Sequence, residues 1–93
     1  MSRREGNRLL LDGVLTVDTV ARVLEETSPQ DRAAAEVVDL AAVTEVDSAA
    51  VALAITWLRE ARAAGRAIRF ENFPPAVAKL ARLYAVDGLI PGA

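Results

Sequence analysis

The stretch from Ser48 to Ala64 holds no glycine or proline and is rich in alanine, the residue that loses least on entering a helix, so a helix is predicted across it. Val51, Ile55 and Leu58, widened by Ala54 and Ala61, mark one apolar face, while Arg59, Glu60 and Arg62 fall on the wet side. Gly65 follows, where a helix commonly ends in a left-handed residue. Short runs of strand character stand on either side. Glu36-Val37-Val38-Asp39-Leu40 is β-branched and has the length of a buried strand, and Ile68-Arg69-Phe70-Glu71 alternates with period two, placing Ile68 and Phe70 inward. A helix between two strands is the connection that a right-handed crossover requires, so this unit restricts the chain to an α/β sheet covered by helices.

Nearer the N-terminus, Leu9-Leu10-Leu11 and Val14-Leu15 flank Asp12-Gly13, a two-residue pair that reads as the turn of a β-hairpin. Thr16 is placed to cap a helix from Val17 to about Thr27, with Val17, Val20, Ala21 and Leu24 on one stripe and Ser28-Pro29 as its stop. Gln30 to Ala34 reads as a connector. A last helix follows Pro74-Pro75, with Val77, Leu80, Ala81 and Tyr84 inward and Lys79 and Arg82 outward. The predicted order is β-β-α-β-α-β-α, a mixed sheet of about four strands with about three helices. At 93 residues the chain has the length of one domain, so residues 1–93 are expected to fold as one unit.

Histidine and cysteine are both absent, which removes His-activated nucleophiles, thiolate zinc sites, His-ligated haem and disulfides. A carboxylate-only hydrolase or a binding module remains. The net charge of −2 does not advertise nucleic acid as a partner, but its distribution is uneven. Residues 1–47 carry ten acids and five bases, residues 48–93 three acids and six bases, so the sign changes at Asp47/Ser48. No targeting segment is visible, and the longest uncharged run, Ser48 to Leu58, is shorter than the roughly 20 apolar residues of a membrane span. The expectation is a cytoplasmic protein that inserts in no membrane and reaches one only through a partner.

The passage from strand to central helix is Val43-Thr44-Glu45-Val46-Asp47-Ser48-Ala49-Ala50-Val51-Ala52, and Asp47 or Ser48 stands where the helix begins. A short oxygen side chain there accepts a hydrogen bond from an unpaired amide, which by itself accounts for either residue. The functional alternative is recognition or modification, since a phosphate on Ser48 would add about −1.5 to −2 charges at the helix start. Trp57 fits a binding hot spot or the core. Arg59, Arg62, Arg66 and Arg69 fit a basic patch for an acidic partner or simple solvation. Glu36, Asp39, Glu45 and Asp47 are the acids a carboxylate site or cation site would use, but they lack ligand spacing, and no metal or cofactor is expected.

The strand Val37–Leu40, the loop after it and Val46-Asp47-Ser48-Ala49-Ala50-Val51-Ala52-Leu53 resemble the signature of STAS domains, a family named for sulfate transporters and anti-sigma factor antagonists. Leu80-Ala81-Arg82-Leu83-Tyr84-Ala85-Val86 with Leu89-Ile90-Pro91 is similar to the C-terminal helix and tail of the MlaB branch, the STAS subunit of the Mla phospholipid transport system. The anti-sigma antagonists place a phosphorylated hydroxyl residue where this chain has Ala49 and a glycine where it has Ala50, a departure from the phospho-switch pattern. Ser48 matches the hydroxyl residue that Mla-type subunits set against their ATPase. The resemblance implies a non-catalytic subunit without cofactor that binds an MlaF-like ABC transporter ATPase, in a complex with an inner-membrane permease that maintains outer-membrane lipid asymmetry. The docking surface so implied is the loop Thr44 to Asp47 with Glu45, and the helix start with Ser48, Ala49, Ala50 and Ala52. Ser48 is the possible phosphorylation site of the rival reading, an anti-sigma factor antagonist in a serine-kinase pathway.

Overall fold

The computed structural model describes residues 2–83, in the order β1 (Ser2–Glu5), β2 (Arg8–Leu15), α1 (Val20–Glu26), α2 (Pro29–Ala34), β3 (Val37–Val46), α3 (Ser48–Ala63), β4 (Arg69–Glu71) and α4 (Pro75–Leu83). The strands lie side by side as β1-β2-β3-β4, with β1 antiparallel to β2 and both β3 pairings parallel. The fold is the expected mixed α/β sheet of four strands, with four helices in place of three.

The hairpin is real but displaced. Its connection is Gly6-Asn7, with Gly6 at φ 62°, and β1 pairs Ser2 with Leu11 through to Glu5 with Arg8. Asp12-Gly13 is not a turn, because β2 runs through it to Leu15. The reason lies in the partner strand. Arg8 is opposite Val37 and Leu15 opposite Val46, so eight residues of β2 face ten of β3, and the two extra residues are taken up in irregularities at Leu10/Asp12 and Gly13/Val14. A bulge bends its strand and strengthens the local twist. Gly13, at φ 78°, stands on β2 beside the second irregularity, where its left-handed backbone lets the shorter strand follow the bend. The amide of Ala41, in the first irregular stretch, is taken by the Asp39 carboxylate at 2.9 Å. β3 is thus twice the expected length, and Thr44 and Glu45 lie on a strand, not in a loop.

The first helix also differs. Residues 16–19 form a turn in which the Thr16 carbonyl accepts from the amides of Thr19 and Val20, and the helix starts only at Val20. Its buried side is Val23, with Thr27 just beyond the helix end; Val17 is 71% exposed and Leu24 sits at the surface, so the stripe is rotated from the expected one. Thr27, a buried polar residue, is satisfied by donating to the Val23 carbonyl and pairing with the Ser2 hydroxyl, each at 2.8 Å. The predicted connector is α2. Ser28 accepts from the Asp31 amide and Pro29 takes the first turn, so the pair that ends one helix begins another.

The remaining elements follow the predicted periodicities. α3 buries Ala50, Val51, Leu53, Ala54, Trp57, Leu58 and Ala61, and Gly65 at φ 70° closes it, with the Arg66 amide bonded back to the Ala61 carbonyl. Trp57 is therefore core. Ile68, Phe70, Val77 and Ala81 join the same cluster, and Phe73 packs against it. The expected inward place of Tyr84, and the tail carrying Leu89-Ile90-Pro91, lie outside the described residues.

An added Cβ at Gly13 meets nothing within 4 Å, so the cost of Gly13→Ala is backbone strain alone, about 1–2 kcal/mol. Urea unfolding is expected to show that loss with an unchanged slope; full stability in the variant would contradict this role for Gly13.

Candidate functional site

At the end of β3 the chain turns into α3 through Asp47, whose extended backbone (φ −140°, ψ −165°) places its side chain over the helix start. Both carboxylate oxygens are used. Oδ1 accepts from the Ala49 amide at 2.8 Å, which caps the helix, and Oδ2 accepts from the Val17 amide at 3.0 Å. Asp47 also donates its own amide to the Leu15 carbonyl and accepts from the Ala50 amide. One residue ties the end of β2, the turn before α1 and the start of α3 together. Of the two residues that the sequence leaves open as the cap, Asp47 is the one that serves.

Ser48 is the first residue of α3, is exposed, and its hydroxyl has no bonding partner among the described residues. Ala52 is exposed one turn along, and Ala49 is half-buried between them. Thr44 and Glu45 are exposed on β3 just before the helix. Ala50 is 2% exposed and belongs to the core, so the close-approach role expected for it does not hold. Val17 is the residue that sequence reasoning missed. Its amide is bonded to Asp47 while its side chain stands in solvent, so it adds an exposed apolar residue to the segment tethered to Asp47.

The acidic residues considered as a carboxylate site do not converge. Glu36 accepts from Asn7, Asp47 holds the helix start, and Asp39 lies at the other end of β3, roughly 25 Å from Asp47 at the usual strand rise. Among the described residues no group of three or more acids is placed to hold a metal ion. Asp39 instead belongs to a polar lattice on the sheet: Arg8 Nη1 donates to Asp39 at 3.0 Å and to Glu71 at 2.8 Å, Asn72 Nδ2 donates to Asp39 at 2.9 Å, and Arg69 pairs with Glu71. The Asn72 hydrogen bond, with those from Ala41 and Arg8, holds the Asp39 carboxyl below its ordinary value against a desolvation that opposes it. Glu71 is lowered chiefly by Arg8. Both are anions at neutral pH, and neither is poised as a general acid.

The family profile described as "Mlab, STAS domain" matches residues 2–91, nearly the whole chain. The chain belongs to the MlaB-type STAS family. Among solved structures it is similar to that titled "Structure of the Anti-Sigma Factor Antagonist SpoIIAA in its Unphosphorylated Form", at 16% identity and a TM-score of 0.66, covering 100% of this chain and 86% of the other. At that identity the likeness speaks for the STAS fold. No curated protein sequence gives a match.

Two tests follow, one at the start of α3 and one in the Asp39 lattice at the other end of β3. Asp47→Ala removes the helix cap and the tether to Val17 and is expected to cost about 1–2 kcal/mol in urea unfolding, whereas Ser48→Ala stays within about 0.5 kcal/mol of the native chain. Equal effects at the two positions would contradict the division of roles. Because the folded pKa of Asp39 is depressed, its contribution to stability is present above its unfolded value and lost as pH falls through the folded one. Asp39→Asn is therefore less stable than the native chain at pH 7, with a gap that narrows as pH drops below about 4. A gap of constant size in acid would count against the lattice.

Proposed function

We propose that this STAS domain is a non-catalytic subunit that docks on the ABC ATPase of an Mla-like phospholipid transport system, in a complex with an inner-membrane permease, and supports maintenance of outer-membrane lipid asymmetry. The family match supports the system. One observation carries the surface: Asp47 spends both carboxylate oxygens on the fold, leaving the neighbouring Ser48 hydroxyl exposed and without a bonding partner among the described residues, on a helix start that Asp47 caps. Ser48 offers the partner one hydrogen bond, Ala49 and Ala52 allow close approach, Thr44 and Glu45 form the strand side, and Asp47 acts through the position it gives to the helix.

An interface of standard size takes about 800 Å² from each partner. Set against a surface of 5290 Å², that is about one seventh of this protein. No helix of the described residues is long and apolar enough to cross a membrane, which fits a cytoplasmic subunit held at the inner membrane by its partner.

The likeness to an anti-sigma factor antagonist keeps a second reading in view. A kinase switch in this chain would need a phosphate on Ser48, since position 49 is alanine; the helix dipole would favour it there, while Glu45 and Asp47 would repel it. Mass spectrometry after incubation with ATP and candidate kinases separates the readings; stoichiometric phosphoserine at position 48 would favour the switch.

Ser48→Arg is expected to abolish copurification of the ATPase from the native host while leaving the far-UV circular dichroism unchanged. Retained copurification at normal yield would remove this surface from the proposal.

A further inference from the structure

The basic side chains of the described residues divide into two groups. Arg3, Arg4, Arg8, Arg32 and Arg69 hold carboxylates, and Arg66 holds the carbonyl of Arg32. Arg59 and Arg62 on α3, Lys79 and Arg82 on α4, and Arg22 on α1 are exposed and hold no partner among the described residues. Of the expected basic patch, Arg66 and Arg69 are thus committed internally, while Lys79 and Arg82 join the two that are free.

The four free cations on α3 and α4 have a shared arrangement. The two helices pack against each other, and each carries its pair at a spacing of i, i+3, where like charges face one another and repel. A favourable interaction with the negative end of the helix dipole accounts for Arg62 and Arg82, in the last turns, but not for Arg59 and Lys79. Helical geometry puts Arg59 and Arg62 on the stripe that begins with Ser48 and Ala52 and passes Ile55. A shallow groove on that flank is lined by Ile55, Leu58, Arg59 and Arg62. On α4 the cations adjoin Leu83, which is 74% exposed.

We infer that this α3–α4 face receives an acidic amphipathic segment of a partner protein, whose carboxylates pair with Arg59, Arg62, Lys79 and Arg82 and whose apolar side chains lie along Ile55 and Leu83. Three of the four cations are arginine, whose planar guanidinium suits two-point pairing with a carboxylate. A bilayer is the poorer match. Among the described residues the exposed side chains of α3 and α4 include no aromatic residue to sit at a lipid interface. The inference rests on the docking reading above in one respect, the continuity of the stripe with Ser48 and Ala52.

The test uses the full chain, labelled with nitrogen-15, and a synthetic helical peptide with glutamates and leucines on opposite flanks, beside an analogue with glutamine for every glutamate. The acidic peptide is expected to perturb amides around Arg59, Arg62, Lys79 and Arg82, with affinity that falls as salt is raised. Arg59→Glu with Arg62→Glu, and separately Lys79→Glu with Arg82→Glu, should each weaken it at least about tenfold, while Arg22→Glu leaves it unchanged. Absence of binding, equal binding of the glutamine analogue, or equal loss on Arg22→Glu would overturn the inference. So would capture of the chain by phosphatidylglycerol vesicles with no response to the peptide. The titration contains no ATPase, so its failure leaves the Ser48→Arg result standing, and failure of that reading leaves the titration intact.

Discussion

The parallel pairing of β2 with β3 is the constraint on which the other elements depend. Eight residues opposite ten can be held in one ladder only if the longer strand bulges, and the irregular stretches take up that mismatch. The first delivers the Ala41 amide to Asp39, and Asp39 anchors the lattice with Arg8 and Asn72. Beyond the second, β2 and β3 end together at Leu15 and Val46. That common end lets Asp47 reach the Leu15 carbonyl and the Val17 amide from the neighbouring strand, so the helix start inherits its position from the ladder.

The parts legible in the sequence are those whose burial leaves a clean period. α3, β4 and α4 each show one apolar face without interruption, and the termini of α3 are marked by residues with a local physical reason to be there: a carboxylate cap and a glycine at positive φ. β1 escaped notice because Ser2–Glu5 is a mainly exposed edge strand with no apolar alternation to read. α2 is six residues long and buries none of them fully, so it leaves no stripe. Asp12-Gly13 misled because a glycine at positive φ suits a turn and equally a strand lying opposite a bulge, and only the length of the partner strand distinguishes them. Around the site, the pattern at 47 and 48 located the helix start but left the division of labour open. Two separate amides needed acceptors there, and a carboxylate has two oxygens to offer where a hydroxyl has one.

The uneven charge of the chain reaches the folded surface in part. Glu25 and Glu26 lie exposed on α1, whereas Arg59, Arg62, Lys79 and Arg82 lie on α3 and α4. The ion pairs that cross the halves, Arg32 with Glu60 and Arg8 with Glu71, join a base of the acidic half to an acid of the basic half, so they use up each half's minority charge and sharpen the contrast in the charge left over. Exposed ion pairs of this kind add little to stability, but they decide which charges are left for a partner.

The arrangement at the start of α3 separates two demands that usually fall on the same side chain. With position 47 satisfying the backbone of three segments, position 48 is relieved of any duty to the fold. Its side chain can therefore be exchanged for others of modest size with little change in the scaffold beneath, so that folding places little constraint on the chemistry this position shows to solvent.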